Sequence, residues 1–355
     1  MTGIPYNQIM LAAAFPALVY YGYLLAAVNL QSRMSSAAND ASAVPETTPS
    51  SARAALLAAF RHYGHLMIAL GVLVYLLVVQ MPPAFAAVYA MVVIACTETA
   101  KQMWQFRRKP WRGIGAAIRI LGKGLAEGAR AGAELAVVIA AIGIFVDVLV
   151  TTGFAQKLSY LLLDFASEDL WIMLALTALA CLIFGLGMPT PAAYILVALL
   201  GVPALERVGV PQLSAHMFVF YFANLSAITP PVAVAALVAA KLASASYFRT
   251  AFAACRLGLA GFILPFLFVY APQILLIDGS LVEQWLTFFG ALLALVAINM
   301  GLVGHAIGSL TKMQRVILIT AAMAVLQFTP KISLAGATVI VAILALQRLA
   351  NARTT

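Results

Sequence analysis

Two short polar stretches interrupt otherwise apolar sequence, and both carry residue types able to hold an ion. In "GLGMPT", Gly185, Gly187, Met188, Pro189 and Thr190 fall within six residues. In "ANLSAITPPV", Asn224, Ser226 and Thr229 stand just ahead of Pro230 and Pro231. The asparagine amide and the hydroxyls offer uncharged oxygens. Glycine and proline at such density break a helix, and broken backbone exposes carbonyl oxygens as further ligands.

The elements that must position these residues follow from composition. Of the residues, 64% are hydrophobic and 9% are charged, against roughly 25% charged in soluble domains. With a mean hydropathy of +1.01, the chain reads as an all-α polytopic membrane protein. Its net charge of +9 sits mainly in short loops between apolar runs, which argues against nucleic acid as a partner. Cys96, Cys181 and Cys255 lie in or beside apolar runs and read as small buried residues, not as a disulfide or metal site.

Apolar runs long enough to span a bilayer occur at 8–29, 64–80, 82–98, 133–152, 257–275, 284–304, 314–328 and 332–347. The segments 170–206 and 213–240 are each interrupted, the first around "GLGMPT" and the second around "SAITPP". They are expected to form a re-entrant hairpin and a discontinuous helix. Residues 1–130 form a first group of helices, with an exposed linker at 31–62 and a basic cytoplasmic loop at 99–130. Residues 131–275 hold the hairpin and the broken helix, and 276–355 supply the closing membrane helices.

Orientation rests on lysine and arginine. Lys101, Arg107, Arg108, Lys109, Arg112, Arg119, Lys123 and Arg130 mark 99–130 as cytoplasmic. Counting inward from there, Lys157, Asp164, Glu168 and Asp169 fall outside. Lys241, Arg249 and Arg256 return to the cytoplasm only if 170–206 enters and leaves on the outer side, so the charge pattern favours re-entry.

In hydrocarbon an unpaired N–H or C=O costs several kcal/mol, so a break at depth implies something that satisfies it. Secondary transporters use such breaks to coordinate a coupling cation and an anionic substrate. The alternative is a pair of proline kinks healed by neighbouring helices. Asp147, six positions before Gly153, is a candidate ion-coupling residue, because intramembrane acids often mark ion pathways. A protonated acid bonded to a nearby threonine is the structural alternative. His216 reads as interfacial, while Glu98, Glu134 and His65 sit near helix ends. The chain has no zinc-protease motif, no nucleophile elbow and no paired intramembrane aspartates, so catalysis is not expected.

The run "GLGMPTPAAYILVALLGVPALERVGVPQLSAHMFVFYFANLSAITPPVAVAA", followed by "FRTAFAACRLGLAGFILPFLFVYAPQILL", resembles the large membrane subunit of TRAP transporters, specifically the fused permeases of the TAXI type. The likeness starts at "TGIPYNQIMLAAAFPALVYYGYL". It implies one inverted repeat of an elevator-type secondary transporter for organic acids such as carboxylates, in the cell inner membrane and driven by a sodium or proton gradient. It also implies an extracytoplasmic solute-binding protein as partner and a coupling sodium ion as the one candidate bound species. Gly185, Gly187, Met188, Pro189 and Thr190 match the family's hairpin tip, and Ser226, Thr229, Pro230 and Pro231 match its discontinuous helix. Similar proteins usually carry a small residue where Asp147 stands. In the family a first repeat precedes the "GIPY" segment, so an N-terminal half or first repeat is an expected partner. The competing reading is a truncated, inactive or accessory membrane fragment.

Overall fold

The computed structural model describes residues 3–38, 49–107, 110–166, 169–277 and 279–352. Among them the elements are α1 (Tyr6–Ala38), α2 (Pro49–Val78), α3 (Pro83–Gln105), α4 (Pro110–Thr151), α5 (Phe154–Ala166), α6 (Leu170–Phe184) and α7 (Thr190–Arg207). They continue as α8 (Gln212–Leu225), α9 (Val234–Leu242), α10 (Tyr247–Leu257), α11 (Leu259–Tyr270), a 3-10 turn (Pro272–Leu275), α12 (Leu281–Val303), α13 (Lys312–Val325) and α14 (Pro330–Ala352). The described residues are helical with no strand, and six helices are long and apolar enough to cross a membrane. The architecture is that of an all-α polytopic membrane protein.

Two compact units divide the chain. One holds Gly3–Met10 and Asp40–Val138, and the other holds Met1–Thr2, Leu11–Asn39 and Ile139–Thr355. In the smaller unit, α2 packs on α3, which starts with Pro83 in its first turn, where a missing N–H removes no helical bond. Polar groups join the two helices. The His65 ring lies 3.0 Å from the Glu98 carboxylate, and Gln102 donates to the same carboxylate at 2.7 Å. His65 and Glu98, expected near helix ends, lie instead inside α2 and α3, where they meet each other and Gln102.

The three largest apolar clusters of the larger unit organise its helices. The first joins α6, α7 and α8 through Met173, Leu174, Val197, Leu205, Phe218 and Phe222. Phe266 of α11 closes it edge-on, its centroid 5.5 Å from Phe218 and 5.9 Å from Phe222. Trp171 of α6 stacks on Phe266 and on Tyr270, so a single α11 face ties both arms of the cluster together. The second cluster packs α1 against α11 and α12, with Val19, Tyr23, Leu264, Phe268 and Leu295 buried. The third binds α12, α13 and α14 into a bundle.

Local sequence explains where the helices start. Asp169 accepts from the backbone N–H groups of Trp171 and Ile172 and caps α6. Reciprocal capping boxes, Ser280 with Glu283 and Thr311 with Gln314, open α12 and α13. Arg315 reaches back to donate to the Gly301 and Leu302 carbonyls at the end of α12.

Helix extends further than the sequence reading placed it. Residues 110–130, expected as a basic loop, are the first half of α4, whose second half is the apolar run at 133–152. Despite five glycines in 110–130, no proline follows Pro110 to stop the helix, so the charged stretch continues into the apolar one. The linker narrows likewise, because α1 runs to Ala38 and α2 begins at Pro49. Residues 39–48, together with Arg108, Lys109 and Glu168 and the side chain of Glu134, lie outside the described residues.

Phe218 is fully buried at the centre of the first cluster, whereas Leu179, on the same bundle, is 54% exposed. Phe218→Ala is expected to cost about 3–5 kcal/mol, lowering the thermal unfolding temperature in detergent by several degrees. Leu179→Ala is expected to leave it nearly unchanged.

Candidate functional site

The hairpin tip occupies residues 185–189. Helix α6 ends as the Gly185 N–H bonds to the Cys181 carbonyl at 2.9 Å. Gly187 then turns the chain with φ of +75°, a conformation that a side chain would strain. Pro189 and Pro191 bracket Thr190 at the start of α7 and prevent the two helices from merging. The hydroxyl of Thr190 is half-buried and has no hydrogen-bond partner among the described residues.

The break occupies residues 226–233, between α8 and α9. Proline at 230 and 231 deletes two of the N–H groups that would continue the helix. The chain fills the gaps with shorter and longer bonds. Thr229 N–H donates to the Ser226 carbonyl at 3.3 Å, and Ala235 N–H reaches the Ala227 carbonyl at 3.0 Å. Ala233 takes φ of +35° to restart the helix, and its N–H donates to the Thr229 carbonyl at 3.2 Å.

A single side chain joins tip and break. The Ser226 hydroxyl, 3% exposed, lies 2.9 Å from the Gly185 carbonyl and 2.6 Å from the Ala223 carbonyl, sharing its proton between them. The approach requires glycine. A Cβ at 185 would stand 2.6 Å from Ser226 Oγ and 2.7 Å from the Cys181 carbonyl oxygen. On the far side of the turn, a Cβ at 187 would meet Val232 at 4.0 Å.

The electrostatic consequence follows from helix direction. Helices α6 and α8 both end at this bond, so two C-termini, each equivalent to roughly half a negative charge, abut. The tip and break also carry the starts of α7 and α9, where the sign is positive. Thr229 donates its hydroxyl proton to the Leu225 carbonyl at 2.7 Å, which leaves the oxygen lone pairs free to accept. Asn224 spends an amide proton on the Phe220 carbonyl at 2.8 Å. Neither 185–190 nor 224–232 contains a titratable side chain.

Not every candidate gathers here. Met188 turns instead into an apolar cluster with Leu149, Leu196 and Leu200. Asp147 is exposed on α4, and its backbone carbonyl accepts from Thr151 at 2.7 Å. No contact among the described residues brings its carboxylate to the tip or to the break. His216 is buried, where an interfacial side chain was expected, and its Nδ1 lies 2.9 Å from the Tyr194 hydroxyl. That pair ties α7 to α8 behind the tip. Among the cysteines, Cys181 is buried as expected, while Cys96 is exposed on an apolar helix face.

A model of one family, described as the tripartite ATP-independent periplasmic transporter, DctM component, matches residues 1–284. The chain belongs to this family. No curated protein and no solved structure gives a significant match. The DctM match takes in the hairpin, the break and every helix through α11, and it stops just inside α12. It identifies the chain as a multi-pass inner-membrane component of a transport system, from a family of transporter components and not of enzymes.

The tip-to-break contact makes a coupled prediction for this DctM protein. Gly185→Ala is expected to destabilise the fold by about 1–3 kcal/mol through overpacking. Combined with Ser226→Gly, which removes two of the three close contacts, the cost should fall well short of the sum of the two single effects. Thermal unfolding of the three variants measures this, and additive costs would show that residues 185 and 226 do not bear on each other.

Proposed function

We propose that the chain is the permease component of a sodium-driven TRAP-type symporter for small organic acids such as carboxylates. The observation that carries this reading is the Ser226 bond to Gly185, which sets two helix C-termini side by side. A cation is the natural complement to that pair of negative ends. Neutral oxygens from Ser226, Thr229 and Asn224, with the carbonyls that end α6 and α8, suit sodium. A coupling proton would need a titratable acceptor, and the tip and break contain none.

The bound sodium ion would supply positive charge that screens the two helix ends from each other. The chain's own residues do the rest. Ser226 keeps the tip in register with the break, and Thr229 turns an oxygen toward the same region. The positive starts of α7 and α9 favour an anionic substrate, since unpaired N–H groups and helix dipole act together there. Because tip and break are bonded to each other, they are expected to move as one body during alternating access, as in an elevator. An extracytoplasmic solute-binding protein is the proposed source of substrate, in keeping with the tripartite family.

Uptake into proteoliposomes, with a solute-binding protein supplied on the outer side, tests the proposal. An imposed sodium gradient is expected to drive accumulation of a carboxylate, and a proton gradient alone is not. Thr229→Val keeps the side-chain shape and removes the oxygen. It should raise the sodium concentration for half-maximal uptake about tenfold, as expected for losing one interaction with a charged group. Uptake driven equally well without sodium would reject the sodium reading.

A further inference from the structure

Across the break, the carbonyls of Ile228 and Pro231 are among those that no backbone N–H reaches. In an uninterrupted helix the carbonyls of Ile228 and Pro231 would accept from Val232 and Ala235. The N–H of Ala235 is instead spent on Ala227. Both orphaned carbonyls are satisfied by side chains of one helix, α10. The Tyr247 hydroxyl donates to the Pro231 carbonyl at 2.6 Å, and the Cys255 thiol donates to the Ile228 carbonyl at 3.3 Å.

These donors share a face. Tyr247, Ala251, Ala254, Cys255 and Gly258 recur at helical spacing. Ala251 packs with Ala233 and Ala236 beside Tyr247 and Ala254, while Ile228 lies against Gly258. Helix α10 therefore grips the break on both flanks of the proline pair, holding Ile228 next in sequence to the candidate sodium ligand Thr229.

We propose that Tyr247 and Cys255 are positioning residues for the cation site, setting the orientation of the 226–233 segment so that Thr229 and Ser226 present their oxygens together. The proposal rests on the sodium-site reading above. Its action is on affinity. With the two carbonyls held by α10, the segment is pre-organised before the ion arrives, so loss of either donor weakens ion binding without altering the groups that bind it.

The test uses two readouts on the full chain. The first is equilibrium binding of radioactive sodium to monodisperse protein in nanodiscs. Tyr247→Phe and Cys255→Ala are each expected to raise the half-saturating sodium concentration about five- to tenfold, and Cys255→Ser, which keeps a donor, is expected to restore it. The second is alkylation of Cys255 by N-ethylmaleimide in a Cys96→Ser background, with Cys181 buried. Sodium should slow this alkylation, and Tyr247→Phe should move the protecting concentration upward by the same factor. Wild-type protein that binds sodium with the same half-saturation as Tyr247→Phe and Cys255→Ala would overturn the role of α10 while leaving the sodium site standing. Wild-type protein that binds no sodium would overturn the site itself, and the α10 role with it.

Discussion

The structure depends on one constraint, that backbone polar groups removed from water must find partners inside the protein. Two interruptions in apolar sequence are therefore two demands for donors and acceptors. The fold meets them jointly. Ser226 closes the Gly185 end of the tip, Thr229 closes the Leu225 end of α8, and Ala235 reaches past the prolines to Ala227. What remains at the junction is a pair of helix C-termini, with no acidic side chain near them in sequence.

Packing fixes that junction in place. The α11 aromatic face holds α6 through Trp171 and α8 through Phe218 and Phe222, so the helices that end at the junction share one support. Behind the tip, Tyr194 and His216 link α7 to α8. In the proposed cation site, selectivity would come from oxygens held by packing neighbours and not from charge.

The sequence revealed both interruptions because glycine and proline act locally. Gly187 needs a positive φ, and Pro230 and Pro231 lack an N–H, whatever surrounds them. The hydroxyls beside them were legible for the same reason. The partners were not. That Ser226 would meet Gly185 across 41 positions, or that Tyr247 and Cys255 would supply donors, depends on how distant helices pack, and no periodicity encodes it. Cys255 reads in sequence as a small apolar residue, and its thiol matters only because Ile228 is brought to it. The basic stretch at 110–130 failed in the opposite way, since charge was read as a loop where a stretch without internal proline runs on into the following apolar segment as a single helix. Asp147 drew attention by its charge alone, and the fold leaves it exposed on α4, away from the junction.

Membership in the DctM family gives the junction its setting, an inner-membrane transport component in which both interruptions fall within the matched region. The central claim is that tip and break form one cation site and not two healed kinks. Amide hydrogen exchange, compared in sodium and in an equal concentration of a large organic cation, tests it most directly. Sodium is predicted to slow exchange at 185–190 and at 224–233 together, over the same concentration range, with Ser226→Ala shifting both segments in concert. Exchange that is indifferent to sodium, or that responds in one segment and not the other, would contradict the account.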